Sequence, residues 1–395
     1  MRVLLLAGVL AGLTAPQATP PSTPVQQESK AAAPTAPQVA AAIDKLASLE
    51  FPVRMQAGRT VRRAAPAVAV PLLTKAAQAH ADGYVRFRAL VLLSGFNDPG
   101  TRDIMTGMLA EKNDRLRAVA YAFFEYNPDP SVLPRLIEAL PREESEFVRP
   151  ALTRAIAAHG EQKPAQVTVT ELVMKGQDFF RSVVIEAIGD YQGAYAFAQL
   201  TTVARQEGPL QDDAALALGK IGDKRALETL AALQRTAPRN NQPAVAAAIC
   251  LLGINCASHQ GYLTETLKFG IAQIGFQDLV RGASSGLAAL AVDGNEQALQ
   301  TLIELGVPTR DPARAAIALA IGTVALRNTP LTLQVLEKTQ HRDGALELLG
   351  EAFDMLEEDF IEERFFAAVR RTYWASAPDA PARAVAEALI RKLEF

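Results

Sequence analysis

The segment RGASSGLAAL, Arg281–Leu290, contains a G-x-S-x-G pattern that would make Ser284 a candidate nucleophile. In serine hydrolases this pattern forms a strained turn between a strand and a helix, which exposes the hydroxyl to a neighbouring base. Nowhere else in the chain does a short motif indicate a reaction. Whether Ser284 can act as a nucleophile therefore depends on the element that carries it.

The histidines show no spacing that is typical of a metal site. The sequence has no H-x-x-x-H or H-E-x-x-H pattern, and no histidine is followed directly by glutamate. Helical metal sites use such patterns because residues four apart lie on one face of a helix. We therefore expect no sequence-local metal site and no cofactor, and we expect the histidines to be solvated or to cap helices. They are His80, His159, His259 and His341.

The two cysteines, Cys250 and Cys256 in ICLLGINCAS, have a spacing that fits no metal site. In a continuous helix their Cα atoms would lie about 9 Å apart along the axis, which is too far for a disulfide. A turn at Gly253 would bring them closer. A local disulfide and two buried thiols are therefore both compatible with the sequence.

Charge is distributed unevenly between the two ends of the chain. The segment 51–90 contains seven basic residues and one acidic residue, whereas 343–363 contains nine acidic residues and no basic one. Such segments either form solvated helix faces or guide a partner, including a second copy arranged head to tail. The candidate partner-binding residues are Arg59, Arg62, Arg63 and Arg88 in the basic segment and Glu357, Glu358, Asp359, Glu362 and Glu363 in the acidic segment.

The composition is that of a folded protein with no preference for nucleic acid. The chain has 395 residues, of which 49% are hydrophobic and 21% are charged, and its net charge is −3. This length exceeds one compact core and predicts several domains or an extended repeat array. The acidic balance and the aromatic content of only 6% disfavour binding to nucleic acid.

The N-terminus has the pattern of an exported protein. Arg2 precedes an apolar run of 11 residues, Val3–Leu13, which has the length of a signal-peptide core and is too short to span a bilayer. The Pro-, Ala-, Thr- and Gln-rich segment that follows cannot bury enough apolar surface to fold. The sequence thus predicts a signal peptide at 1–18, a disordered linker at 19–38 and a folded domain at 39–395. We expect a periplasmic or extracellular protein with no membrane span in its mature chain.

An apolar residue followed by arginine recurs every 31 or 32 residues in the first half of the chain, and later at multiples of about 33 residues. An acidic residue usually stands three or four positions before the arginine, as expected for a helix start, because carboxylates favour the first turn. Small and apolar residues follow, then a turn and a second amphipathic run. The arginines are Arg54, Arg86, Arg117, Arg149, Arg181 and Arg281, with looser copies at Arg314 and Arg383.

These units resemble the HEAT-repeat family, in particular the subgroup that reads D-x-x-V-R followed by A-x-x-A-L-G-x-I-G-D. Asp82–Arg86 carries the opening of that pattern, and Leu216–Leu230, LALGKIGDKRALETL, carries its second half. The resemblance extends from about Phe51 to the C-terminus. It implies an all-α fold, an α-solenoid of HEAT or armadillo type with about ten antiparallel helix pairs, capped by a last helix at 380–392. It also implies that the second helices line an extended concave face.

The repeat register changes the interpretation of Ser284. Arg281 is the arginine of its unit, so Ser284 and Ser285 occupy positions where another unit has Ala89 and Leu90. These are packing positions inside a helix, whereas the nucleophile turn requires a strand before the serine. We therefore interpret the match as a run of small residues that lets two helices approach, and we expect no catalytic residue in the chain.

A non-catalytic scaffold that presents its concave surface to protein partners outside the cytoplasm is the function that the sequence favours, since a solenoid offers surface rather than reactive groups. An accessory, small-molecule-binding or enzyme-like role is the alternative, because the HEAT subgroup resembles the one that includes bilin lyases. A third hypothesis, a solenoid that acts on DNA bases, is disfavoured by the acidic charge and by the export pattern. The sequence identifies no particular partner.

Overall fold

The computed structural model describes residues 33–356 and 359–395, and only the backbone of Asp359. The predicted signal peptide, most of the predicted linker, and Glu357 and Glu358 lie outside this part. Within it the chain forms 22 α-helices and no strand, so the predicted all-α solenoid of helix pairs is confirmed. The helices are α1 (Ala36–Ile43), α2 (Phe51–Arg62), α3 (Pro66–Ala79), α4 (Gly83–Ser94), α5 (Thr101–Met108), α6 (Asp114–Tyr126), α7 (Leu133–Ala139), α8 (Arg149–Ala158), α9 (Lys163–Met174), α10 (Asp178–Asp190), α11 (Phe197–Ala204), α12 (Gln211–Ile221), α13 (Ala226–Thr236), α14 (Gln242–Leu251), α15 (Cys256–Ala272), α16 (Gln277–Val292), α17 (Glu296–Gly306), α18 (Ala313–Arg327), α19 (Thr329–Lys338), α20 (Arg342–Leu356), α21 (Asp359–Ala375) and α22 (Pro381–Lys392).

Helical structure begins inside the segment that the sequence analysis assigned to the linker. Thr35 and Gln38 form a reciprocal capping box, in which the Thr35 N–H donates to the Gln38 side-chain oxygen at 2.8 Å. Pro37 stands in the first turn, where its missing N–H costs nothing. The boundary at residue 39 is therefore corrected to the start of α1 at Ala36, and the T-A-P-Q sequence was the overlooked signal.

The helices form antiparallel pairs, from α2–α3 to α18–α19, that stack along one axis. From α6 to α20 the even-numbered first helices pack extensively against one another, whereas the odd-numbered second helices touch one another less. The first helices therefore lie closer together and form the concave side, and the second helices form the outer layer. This corrects the expectation that the second helices line the concave face.

Small residues on the first helices allow this close spacing. A Cβ atom on Gly219 of α12 would lie 2.4 Å from the Cα of Ala248 in α14, and one on Gly189 of α10 would lie 2.8 Å from the Cα of Ala217 in α12. No side chain fits at such contacts, so backbone meets backbone. These glycines thus permit the close spacing of α10, α12 and α14.

The substitution Gly219→Ala is expected to lower the free energy of unfolding by about 2–3 kcal/mol, because the added methyl group forces α12 and α14 apart. Urea titration followed by circular dichroism measures the change. Gly261→Ala is the matched control, since Gly261 lies inside α15 with no atom within 4 Å of the added Cβ. It is expected to stabilise by about 0.5–1 kcal/mol. Equal effects of the two substitutions would contradict the proposed close contact.

The repeated arginines connect successive units by capping the second helices. Arg86 Nε donates to the carbonyl oxygen of Ala77 at 3.0 Å, and Arg181 Nε donates to that of Val173 at 2.9 Å. Carbonyl groups at a helix C-terminus lack intrahelical partners and carry partial negative charge. A positively charged guanidinium that donates hydrogen bonds therefore stabilises them. Similar bonds to the end of the preceding helix or to its connection come from Arg54, Arg117, Arg149, Arg314, Arg342 and Arg383.

No single helix in the described ranges is both long enough and apolar enough to cross a membrane. The helices α18 and α19 meet these requirements only when they are taken together, and they are bent by 117° relative to each other.

Candidate functional site

Helix α21 does not join the outer layer as the other second helices do. It crosses the concave side instead. Helix α21 contacts α4 and α6 near the N-terminal end of the stack, and α18 and α19 near the C-terminal end. Phe360 in its first turn packs against Phe123 and Tyr126 of α6, with ring centroids 6.3 and 6.2 Å apart. The stack therefore closes on itself, and α21 covers the part of the concave face that these helices form.

A buried ion pair anchors α21 to α2. Arg62 Nη2 lies 2.7 Å from Glu363 Oε2, and the two side chains are 5% and 1% exposed. Arg370 donates to the other carboxylate oxygen of Glu363 at 3.0 Å. Burial lowers the pKa of Arg62, Glu363 opposes this shift, and the neighbouring Arg370 and Arg88 add to it. One carboxylate thus compensates several desolvated guanidinium groups.

The structure brings the predicted basic and acidic segments together within one chain. Arg62 and Glu363 are separated by 301 residues in sequence and bond directly, so neither is free for a partner in this arrangement. Glu357 and Glu358 lie outside the described residues. Of the other candidates, Arg59 lies 3.4 Å from Glu394, Arg63 is exposed at the end of α2, Arg88 lies on α4, Asp359 begins α21, and Glu362 is half-buried on α21.

The C-terminal residue reinforces this closure. Phe395 is 2% exposed, and its ring stacks on that of Phe366 in α21 with centroids 4.1 Å apart. The Arg62 guanidinium lies 5.1 Å from the centroid of the same Phe366 ring. Aromatic stacking and cation–π contact therefore surround the ion pair with apolar groups and exclude water from it.

A second polar cluster joins the first helices on the concave side. Arg154 of α8 donates to Glu125 of α6 and to Asp190 of α10, both at 2.8 Å. Lys220 of α12 donates to Asp190 at 2.7 Å, and Arg327 of α18 lies 3.1 Å from the same carboxylate. We call these five residues the inner charge cluster. It links α10 to α18, which lie four units apart in the stack.

The members of the inner charge cluster compensate one another. Burial alone would raise the pKa of Asp190, but Lys220, Arg327 and Arg154 outweigh burial and hold that pKa far below its usual value. Glu125 is 3% exposed and also accepts a hydrogen bond from Tyr191 at 2.8 Å. Such a network stabilises the fold, because each of its carboxylates is paired with at least one cationic side chain. Sequence reasoning missed it, although charged residues in the apolar C-terminal halves of several first helices were a usable signal.

Ser284 lies inside α16 and is 1% exposed. Its hydroxyl has no hydrogen-bond partner among the described residues, so none of them could activate it. Gly286 of the same helix lets α14 approach, since a Cβ atom there would lie 3.3 Å from the carbonyl oxygen of Pro243. The structure places Ser284 at a packing position, as the repeat register predicts.

His159 is buried at the end of α8 and has a structural role. Its Nδ1 lies 2.7 Å from the carbonyl oxygen of Ala155, and its Nε2 lies 3.0 Å from both the backbone nitrogen and the carbonyl oxygen of Asp129. Nowhere in the described part of the chain do three or more histidine, cysteine, aspartate or glutamate side chains form a group that could hold a metal ion.

Cys250 and Cys256 are joined by a disulfide, with their Cα atoms 4.1 Å apart. The chain turns between α14 and α15 at Gly253, whose φ is +74°, and at Asn255, whose φ is +46°. The helix is therefore interrupted where a continuous one would have kept the sulfurs apart. Thiol titration of the denatured, unreduced protein is expected to find no free thiol and, after reduction, two per chain. Two thiols without reduction would contradict the disulfide.

Asp213 of α12 is held in a desolvated position and accepts a hydrogen bond from Ser182 of α10 at 2.6 Å. Burial raises its pKa to about 6 in spite of that bond. Between about pH 4 and pH 6 the folded protein therefore binds a proton that the unfolded chain releases, so this group lowers stability as the pH rises through that range.

The substitution Asp213→Asn is expected to raise the free energy of unfolding by about 1–2 kcal/mol at pH 7.5 and to have little effect near pH 4. The asparagine keeps an acceptor for Ser182 and removes the desolvated charge. Thermal unfolding at both pH values measures the difference. Asp212→Asn removes a carboxylate from the same helical turn and is the matched control. A gain for Asp213→Asn that is equal at both pH values would contradict this prediction.

Large apolar side chains are exposed mainly along one edge of the stack, where second helices end and the next first helices begin. Connections of the same kind lie on the same side of an array of helix pairs. Phe147 and Phe179 each stand two residues before a repeated arginine, and Phe147 is 91% exposed. We call this side the apolar edge; its members are Leu49, Phe51, Phe147, Met174, Phe179, Phe269 and Ile274. Sequence reasoning missed these residues, although their register before the arginine was visible.

Comparison with known proteins gives likeness only at the level of the fold. No protein-family model matches the chain, and no curated protein matches it. Among solved structures, the Escherichia coli protein YibA is 16% identical, with 55% of this chain and 82% of that chain covered and a TM-score of 0.41. The complex of CpcE and CpcF of phycocyanin lyase from Nostoc sp. is 17% identical over 66% of this chain and 97% of that one, also with a TM-score of 0.41.

A chain from a structure of the interaction between cadherin and beta-catenin is 11% identical, with 90% of this chain and 94% of that chain covered and a TM-score of 0.30. Identities and scores this low carry no inference about activity or partners. The repeat units and the helix pairs described above are what assign the chain to the α-solenoid class.

Proposed function

We propose that this protein is a non-catalytic scaffold that binds protein partners along its apolar edge. The observation that carries the proposal is the exposure of seven large apolar side chains on one edge of the repeat array. Exposed apolar side chains that share one surface mark interaction sites more often than catalytic ones. Helix α21 covers part of the concave face, so the binding surface that the sequence suggested is replaced by this edge.

Affinity capture of the protein from its native host, with crosslinking and mass spectrometry, tests the proposal. We expect a protein partner whose crosslinks fall near Phe147 and Phe179. The double substitution Phe147→Ser and Phe179→Ser is expected to abolish capture, whereas Trp374→Ser, which removes an exposed aromatic from α21, is expected to preserve it. Capture that survives the double substitution would contradict the role of this edge.

We also propose that the protein acts outside the cytoplasm. The apolar run Val3–Leu13 supports export, and so does the disulfide, because disulfides persist in oxidising compartments. The intact mass of protein from the native host is expected to lack the N-terminal segment, and retention of Met1 would contradict export.

Head-to-tail self-association stays a prediction. A sedimentation coefficient that rises with protein concentration and falls with added salt would support it. A monomer whose sedimentation does not respond to salt would contradict it. Because Arg62 and Glu363 bond within one chain, any such association would have to use the other charged residues at the two ends.

A further inference from the structure

A surface cavity of about 200 Å³ lies on the apolar edge between α8, α9 and α10. It combines an apolar wall with groups that donate hydrogen bonds. Phe147, Met174 and Phe179 are exposed and each stands one or two residues before a lining residue in the sequence. Its main lining residues are Arg149, Thr153, Leu172, Lys175, Phe180 and Val184.

Thr153 is the first indication that this cavity accepts a ligand. The residue is 4% exposed and borders the cavity, yet its hydroxyl makes no hydrogen bond to any described residue. Other threonines inside these helices, such as Thr168, donate to the carbonyl oxygen four residues earlier. The hydroxyl oxygen itself is not fully enclosed by protein, so it is open to the cavity that the residue lines. The Thr153 hydroxyl can therefore donate a hydrogen bond to a ligand in the cavity or accept one from it.

Arg149 supplies positive charge at the same place. Its guanidinium stacks on Phe180 at 5.0 Å from the ring centroid and donates one long hydrogen bond, 3.3 Å, to the carbonyl oxygen of Glu143. The remaining N–H groups of Arg149 have no acceptor among the described residues. A guanidinium with free N–H groups can bind a carboxylate with two of them.

The start of α10 adds further donors. Gln177, the residue before the helix, makes no side-chain capping bond and lines the cavity, so the first N–H groups of α10 are not capped by it. The side chain of Lys175 is 72% exposed and forms an ion pair with Glu171 at 3.3 Å. Because this ion pair is exposed and weak, an incoming carboxylate can replace it. An N-terminal helix end, a lysine and an arginine together favour an anionic group.

We propose that this cavity binds the C-terminal residue of a partner polypeptide. The α-carboxylate would accept hydrogen bonds from Arg149, Thr153 and the start of α10, while an apolar side chain on the same Cα atom packs against Leu172 and Val184. The volume suits one such side chain, and a C-terminal residue places carboxylate and side chain side by side. Preceding partner residues would cover the flanking phenylalanines. This inference rests on the proposed function and specifies what the apolar edge recognises.

The test is fluorescence anisotropy with the N-terminally labelled peptide Gly-Ser-Gly-Ala-Ala-Leu, carrying either a free C-terminal carboxylate or a C-terminal amide. We expect the free acid to bind at least tenfold more tightly than the amide. Arg149→Ala is expected to weaken binding of the acid at least tenfold, and Thr153→Val about threefold. Thr153→Val is nearly isosteric and preserves the fold, so it keeps the test valid if Arg149→Ala unfolds.

Arg239→Ala is the matched control, because Arg239 also stacks on aromatic rings, those of Phe269 and Phe276, but lies outside this cavity. It is expected to leave the affinity unchanged. Equal affinity for acid and amide, no binding at millimolar protein, or unchanged binding by Thr153→Val would overturn the inference. A captured protein partner whose crosslinks fall away from the cavity would overturn it while leaving the scaffold function intact. Peptide binding without any captured protein partner would overturn the scaffold function instead.

Discussion

Replacing Glu363 by glutamine is expected to lower the free energy of unfolding by about 3–5 kcal/mol. The substitution removes the charge that compensates Arg62, whose side chain is only 5% exposed, and leaves the nearby Arg370 without its acceptor charge. A buried guanidinium without a carboxylate is strongly unfavourable because water cannot reach it. Urea unfolding measures the loss, and small-angle scattering is expected to report a larger radius of gyration as α21 detaches.

Two controls separate the buried ion pair from charge effects in general. Glu138→Gln removes one partner of an ion pair with Arg142 whose side chains are both about 70% exposed, and it is expected to cost no more than about 0.5 kcal/mol. Adding Arg62→Met to Glu363→Gln removes the stranded charge and is expected to restore part of the stability. A loss below about 1 kcal/mol for Glu363→Gln would mean that α21 is not held by this contact.

Replacing Arg154 by methionine is expected to produce a loss of similar size, about 3–5 kcal/mol. The methionine keeps much of the side-chain volume but leaves Glu125, 3% exposed, with the Tyr191 hydroxyl as its hydrogen-bond donor among the described residues. The substitution also removes one of the three cationic side chains that pair with Asp190, which keeps Lys220 and Arg327 as partners. The penalty therefore comes mainly from Glu125, and unfolding in urea measures it.

The double variant Arg154→Met with Glu125→Gln distinguishes this explanation from a packing defect. Glutamine still accepts the hydrogen bond from Tyr191, and it carries no charge that would be left buried without a cation. The double variant is therefore expected to recover most of the lost free energy of unfolding. If the two substitutions instead add their separate costs, the inner charge cluster does not act as a unit. A recovery of at least half of the loss would establish direct coupling between Arg154 and Glu125.

The repeat architecture is predictable from the sequence because its signals are local. The spacing of the arginines, the acidic residue before each one and the A-L-G element all act within one unit or between adjacent units. Their physical role is explicit in the fold: Arg86 and Arg181 cap the preceding helices, and Gly219 lets neighbouring first helices touch. The same register is sufficient to identify Ser284 as a packing residue, because Arg281 places it inside a first helix.

The candidate site was predictable only in part. Arg62 and Glu363 stand in the basic and acidic segments of the sequence, but their contact inside one chain depends on the path of α21 across the concave side. Phe147 and Phe179 have a recognisable position before the repeated arginines, yet their exposure depends on how the connections lie between neighbouring units. The charge and hydropathy of a segment do not predict which of its residues will be buried by a helix that is distant in the sequence.

The sequence by itself determined the unit, its period and its helix starts, because each of these follows from backbone and side-chain preferences over a few turns. Only the tertiary structure decided that the first helices face inward, that α21 covers part of the concave face and that the stack closes through a buried ion pair. Small angular differences between units add up along a repeat array, so contacts between residues 301 apart depend on every intervening interface.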